Sequence, residues 1–147
     1  MSRRSVLRLT ILDRFRPRTD RELLRRAVRA ALTLGRREDL EVALLLTDDS
    51  GIAELHGRHL GDATPTDVMS FLTDDTADLV VNVQRARREA RRRGTTIRGE
   101  VALYVIHGLL HLCGFDDHAP RARARMRAAE QEVLAQIGLR VAPVDAD

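Results

Sequence analysis

Two histidines, His107 and His111, stand four residues apart in the stretch Tyr-Val-Ile-His-Gly-Leu-Leu-His-Leu-Cys-Gly-Phe-Asp-Asp-His that runs from 104 to 118. Four residues make just over one turn of an α-helix, so both imidazoles leave one face and can meet on a single ion. Packing alone gives no reason for them among Val101, Leu103, Val105, Ile106, Leu109, Leu110 and Leu112, which make the stretch apolar on nearly every side. Beyond the second histidine, Gly114 can end the helix with a left-handed residue and let the chain turn back. The chain then supplies Asp116, Asp117 and His118. A further ligand six residues past the second histidine completes three protein ligands and leaves a fourth position open, as in catalytic zinc sites. That slot is Asp117, but His118 is its neighbour, and the spacing leaves either as the third ligand.

Zinc held by three protein groups lowers the pKa of a bound water to about 7, which supplies hydroxide for attack on a carbonyl or a phosphoryl group. Hydrolysis is therefore the expected reaction class, with one zinc per chain. Zinc peptidases of the HExxH kind carry a glutamate directly after the first histidine as general base. Here that position is Gly108, which weakens the peptidase reading.

The elements that must position these groups follow from hydrophobic period and end signals. Residues 5 to 12 read as a first strand. Thr19 or Asp20 caps a helix running to Leu34, with Leu23, Leu24, Ala27, Val28, Ala31 and Leu32 on one face and Gly35 as its stop. Glu41 to Thr47 suits a strand buried on both faces, and a helix from about Gly51 to Leu60 follows the Asp48–Asp49–Ser50 cap. Asp67 to Thr73 and Asp78 to Val83 read as a hairpin turning at Asp74–Asp75. A basic helix spans Gln84 to Arg93, the metal helix runs from Thr96 or Arg98 to Cys113, and Pro120 to Ile137 forms a last amphipathic helix with Met126, Ala129, Val133, Leu134 and Ile137 inward. This order predicts an α+β fold, one domain over residues 1–147, with a small mixed four-stranded sheet covered by helices and the metal helix across its middle.

With 147 residues the chain can bury a proper core, and its lone cysteine, Cys113, excludes an internal disulfide and suits a reducing compartment. No apolar run is long enough to cross a bilayer, so a cytoplasmic location and no membrane partner are expected. All 25 basic residues are arginine against 22 acidic ones. The net charge of +3 is modest, so its distribution matters more than its sum. Arg85, Arg88 and Arg92 share a helix face by their spacing and are candidate phosphate contacts, and Arg121, Arg123, Arg125 and Arg127 make a second basic stripe. His56 and His59, three apart, are a weak invitation to a second metal.

Residues 104 to 118 closely resemble the metal motif of the YbeY endoribonuclease family, and Pro65-Thr66-Asp67-Val68-Met69-Ser70-Phe71 resembles that family's second signature. The order of elements fits along the whole chain. The resemblance implies an α+β metalloprotein, a single zinc, and single-strand-specific cleavage of RNA in 16S ribosomal RNA 3′-end maturation and ribosome quality control. It also implies ribosomal RNA and the small ribosomal subunit as partners, with no DNA, and makes Asp67 and Ser70 pocket residues. Three positions depart from the family pattern. Asp117 stands where the family usually has histidine; Leu60 precedes Gly61 where the family has a substrate-contacting arginine, a role open to Arg58; and His56 stands for an asparagine. A non-catalytic ribosome-assembly factor with a structural zinc is the competing reading, and a metallopeptidase the third.

Overall fold

The computed structural model describes residues 6–15, 19–60 and 66–143, with no account of the side chains of 59 and 60. Along these residues the elements are β1 (Leu9–Asp13), α1 (Arg21–Leu34), β2 (Glu41–Thr47), α2 (Asp49–Leu60), β3 (Val68–Thr73), β4 (Thr76–Asn82), α3 (Val83–Arg93), α4 (Ile97–Leu112) and α5 (Pro120–Gln136). The four strands form one mixed sheet in the order β1-β2-β4-β3. β1, β2 and β4 run parallel, with Leu9 opposite Val42 and Glu41 opposite Thr76, while β3 returns antiparallel with Val68 opposite Val81. The fold is α+β, as expected.

The first strand begins at Leu9, later than its composition suggests, because its partner β2 begins only at Glu41 and offers no ladder earlier. α2 begins at Asp49, two residues before the expected start, since Asp48 accepts the amide of Gly51 at 2.8 Å and so caps the first turn. The alternation of β2 also differs from a strand buried equally on both faces. Val42, Leu44 and Leu46 are buried in the main core, whereas Ala43 and Leu45 are half-covered. The second face of the sheet carries a small separate cluster of Ile52, Met69 and Val80, closed by Leu45, Leu55 and Phe71.

α4 is the central helix of the main core. Eleven of its residues are buried, from Gly99 to Leu110, and it packs against α1, α3, α5 and the β3–β4 hairpin. It lies over the hairpin rather than across the middle of the sheet, and Gly108 is the reason. A Cβ there would sit 3.1 Å from Leu79 Cδ2 and 3.3 Å from Val68 Cγ2, so the missing side chain is what lets helix and strands approach. At its start, Thr96 caps the amide of Gly99, and buried Glu100 takes a 2.6 Å hydrogen bond from Thr95 and an ion pair at 3.6 Å from Arg93. At its end, Gly114 adopts φ +103, and the amides of Gly114 and Phe115 return to the carbonyls of His111 and Leu110. That 5→2 and 6→1 pair is the glycine helix stop anticipated from Leu-Cys-Gly, and it turns the chain back along its own helix.

Candidate metal centre and its polar surround

The last two turns of α4 carry His107, half-buried, and His111, exposed at the helix end. α5 packs alongside and brings Glu130 opposite His107. Glu130 Oε2 lies 2.6 Å from His107 Nδ1, and Glu130 is 2% exposed. A buried carboxylate is costly unless paired, so this contact accounts for its charge and commits Nδ1 as donor, leaving Nε2 with a free lone pair. Nε2 in turn lies 3.8 Å from Asp117 Oδ2. Burial works against protonation of His107, but the Glu130 hydrogen bond and charge, with Asp67 and Asp117 adding, outweigh it and raise its pKa above the ordinary imidazole value.

The turn after α4 gathers Asp116, Asp117 and His118, whose ligand atoms lie within 4.8 Å of one another. Within that trio the roles separate. Asp117 faces His107, whereas His118 is exposed and turned to Asp116, its ring 3.7 Å from Oδ1 and its amide donating to the same oxygen at 3.0 Å. Two of the expected ligands fit a metal, since an ion bound at about 2.1 Å by each of two atoms keeps them no more than about 4.2 Å apart and His107 Nε2 and Asp117 Oδ2 meet that limit, whereas His111, exposed at the helix end, joins no group of three possible ligands among the described residues. The donor set of imidazole and carboxylate suits zinc, and Glu130 supplies the outer carboxylate that such histidines commonly have.

Beside this end of α4, the start of β3 and the end of β4 are tied together by Asn82, which is fully buried. Its Oδ1 accepts the amide of Arg85 and caps α3, while its Nδ2 donates to Asp49 Oδ1 at 2.7 Å and to the Thr66 carbonyl at 3.0 Å. Its backbone amide donates to Asp67 O at 2.9 Å. Asp67 therefore starts β3 in a fixed place, with Oδ1 accepting the amide of Val68 at 2.7 Å. Ser70 follows two residues after Val68, on the same sheet face and opposite Leu79, the strand residue that meets Gly108. Tyr104, one turn before His107, is buried among these groups; burial foremost, then the charges of Glu100, Asp67 and Glu89, pushes its phenol well above the usual range.

The arginines anticipated as phosphate contacts are largely engaged within the chain. Arg88 forks onto Asp49 with bonds of 2.6 and 3.1 Å, Arg92 onto Glu89 at 2.7 and 3.0 Å, and Arg58 reaches Glu54 at 2.7 Å one turn away. The Arg88 guanidinium, with the Asn82 amide adding, holds the Asp49 carboxyl below the usual carboxylate range despite partial burial. Of the helix trio, Arg85 alone has no carboxylate hydrogen bond or ion pair among the described residues. Gly61 of the loop before the second signature, Pro65 of that signature, and the His59 side chain of the second-metal idea lie outside what the structure describes.

Glu130, Asn82 and Asp49 were not anticipated. Glu130 had a signal: it falls in the inward stripe Met126–Ala129–Val133–Leu134, where an acid needs a partner. Asn82 also had one, as an asparagine at the junction of a strand and a helix, where a cap is required.

A mixed four-stranded sheet with a buried helix over its hairpin, whose end carries histidine and carboxylate side chains, defines an α+β protein. The family model described as Endoribonuclease YbeY matches residues 13–138. The chain belongs to the YbeY endoribonuclease family. It is similar to the Endoribonuclease YbeY of Symbiobacterium thermophilum, 36% identical over 80% of this chain and 86% of that protein. The Endoribonuclease YbeY of Roseiflexus sp. (strain RS-1) is 35% identical over 82% and 85%. The solution structure of TM1509 from Thermotoga maritima shares the fold, with a TM-score of 0.63 at 24% identity, covering 87% of this chain and 90% of that one.

Proposed function

We propose that this chain is a zinc-dependent endoribonuclease specific for single-stranded RNA, acting in the cytoplasm on the 3′ end of 16S ribosomal RNA and, with the small ribosomal subunit, in ribosome quality control. Family membership supplies the nuclease class, and the 3.8 Å approach of His107 Nε2 to Asp117 Oδ2 carries the metal reading. His107, His111 and Asp117 would hold one zinc. When bound, it supplies a water acidic enough to act as a nucleophile at neutral pH. Glu130 keeps the His107 lone pair aimed outward by holding the proton on Nδ1. Asp67 and Ser70 would contact the substrate, and Arg58 would steady charge building on the phosphorane. Its exposed pairing with Glu54 is worth about 0.3–0.5 kcal/mol, weak enough for a phosphate to displace.

Gly108 argues against a peptidase. The position after the first histidine has no side chain to act as the general base of that mechanism, and a Cβ there would already press on Leu79 Cδ2 at 3.1 Å and Val68 Cγ2 at 3.3 Å. The test is cleavage of labelled single-stranded and duplex RNA by the purified protein, with metal removed by chelation and zinc restored. Loss with the chelator, recovery with zinc and sparing of the duplex are expected. Intact RNA in the presence of one bound zinc per chain, together with binding to the small subunit, would move the protein to the assembly-factor reading. For the ligand set, Asp117→Ala should lose zinc while His118→Ala keeps it; the reverse pattern makes His118 the ligand.

A further inference from the structure

Asn82 is fully buried, and its hydrogen bonds reach α2, α3 and the segment entering β3. Its Nδ2 donates to Asp49 Oδ1 at the start of α2 and to the Thr66 carbonyl, its Oδ1 accepts the amide of Arg85, and its own amide donates to the Asp67 carbonyl. The expected RNA contacts ride on these same elements: Arg58 on α2, Asp67 and Ser70 at the start of β3, and Arg85 on α3. The placement of α2 depends most on this group. α2 packs chiefly on β4, through Ile52 and Leu55, and polar ties fix its N-terminus to α3. The Asp49 amide donates to Gln84 Oε1 at 3.1 Å, and Arg88 forks onto the Asp49 carboxylate.

α4 is set against the hairpin by other means, through the approach of Gly108 to Val68 and Leu79. The helix that carries His107 and the elements that carry the RNA contacts are thus placed separately, and Asn82 is where the second set is joined. Capping α3 does not account for this residue. A cap needs only a side-chain oxygen, which an aspartate or a serine supplies as well. What an asparagine adds is the amide nitrogen, and both of its hydrogens are used here, one toward α2 and one toward the entry to β3. We propose that Asn82 is a positioning residue for RNA cleavage, whose Nδ2 fixes α2, and with it Arg58, against the Thr66–Asp67 entry to β3, so that the RNA contacts meet the metal helix in one geometry. The proposal rests on the nuclease reading and adds to it a residue that acts through its neighbours.

Asn82→Asp keeps an oxygen for the Arg85 amide and replaces the donor by an anionic oxygen facing Asp49 and the Thr66 carbonyl. Asp49→Asn/Asn82→Asp restores an amide-to-carboxylate bond with its direction reversed. Leu23→Ala truncates the core beside the start of α4, where Asp20 pairs with Arg98 at 3.5 Å, and so controls for lost stability away from the site. The kcat and KM for a labelled single-stranded RNA, and the zinc affinity, are measured on the full zinc-loaded chain at a temperature where urea titration shows every variant folded. Asn82→Asp should lower kcat/KM about a hundredfold, the scale of a misplacement of about 1 Å, with zinc affinity unchanged. The double variant should regain about tenfold. If Asn82→Asp does not fold, Asn82→Ser, which keeps a capping oxygen and adds no charge, should show the same loss of kcat/KM. Parent-like kcat/KM in the folded Asn82 variant reduces the residue to a helix cap and overturns the proposal. A double variant no faster than Asn82→Asp overturns it too, as does an equal loss in Leu23→Ala or a loss of zinc that matches the loss of rate. A parent that leaves single-stranded RNA intact removes the nuclease reading and this proposal with it, a result distinct from a parent that cleaves alongside an equally active Asn82 variant.

Discussion

The imidazole of His107 is held between two carboxylates of unlike position, buried Glu130 on Nδ1 and solvent-facing Asp117 near Nε2. Only one of these can be a ligand. Nδ1 is already committed, so Glu130 would act on a metal bound at Nε2 through the ring, by fixing which nitrogen carries the proton. Glu130→Gln keeps an acceptor but removes the charge, and Glu130→Leu removes both. Zinc affinity, read by competition with a chromophoric chelator, should fall about tenfold for the first and about a hundredfold for the second. Equal affinity in all three proteins would show that the ring needs no such support.

At the scale of elements, α4 approaches the hairpin through Gly108, and the Asp49–Asn82–Arg88 group ties α2, α3 and the start of β3 together. On an exposed helix, Gly→Ala gains about 1 kcal/mol. Against fully buried Leu79 the added methyl overpacks, at a cost of about 1–3 kcal/mol, so Gly108→Ala should be neutral to destabilising by about 2 kcal/mol in urea denaturation. A clear stabilisation would mean that the hairpin yields. The Asp49 pair has a defined pH signature. Because its folded-state pKa is depressed, the stability it contributes is present above the unfolded carboxylate value of about 3.9 and is lost as pH falls through the lower folded value. Asp49→Asn should therefore be less stable than the parent at pH 7, with the gap closing below about pH 4. A gap that persists undiminished at pH 2 assigns the loss to packing instead.

For the whole molecule the net charge of +3 says little, because most of the arginines singled out on α3 are neutralised where they stand. Arg85, Arg88 and Arg92 replaced together by glutamine would shallow an RNA salt slope by about 2.1 if all three held phosphates. With Arg88 and Arg92 paired internally, a change near one contact, about 0.7, is expected, and Arg85→Gln alone should reproduce most of it. A full three-contact change would mean that RNA displaces both carboxylates.

The helices, the strand order along the chain and the helix that carries His107 and His111 were legible because each is a local pattern. The i,i+4 histidines, the glycine stop, the Asp20 cap and the hairpin turn all act within a few residues of themselves. The sequence also carried enough of two motifs to indicate the family. What it left open was what depends on distant segments meeting. Asp117 and His118 are adjacent in the chain, and only the return of the loop against α4 turns one toward His107 and the other toward Asp116. Glu130 lies 23 residues from its histidine, Asn82 lies 33 from Asp49, and Arg88 lies 39 from the same carboxylate, so no period or cap rule could join them. Charges on a helical wheel show which face they share, but whether they stay free for a ligand is decided by what the tertiary structure brings opposite.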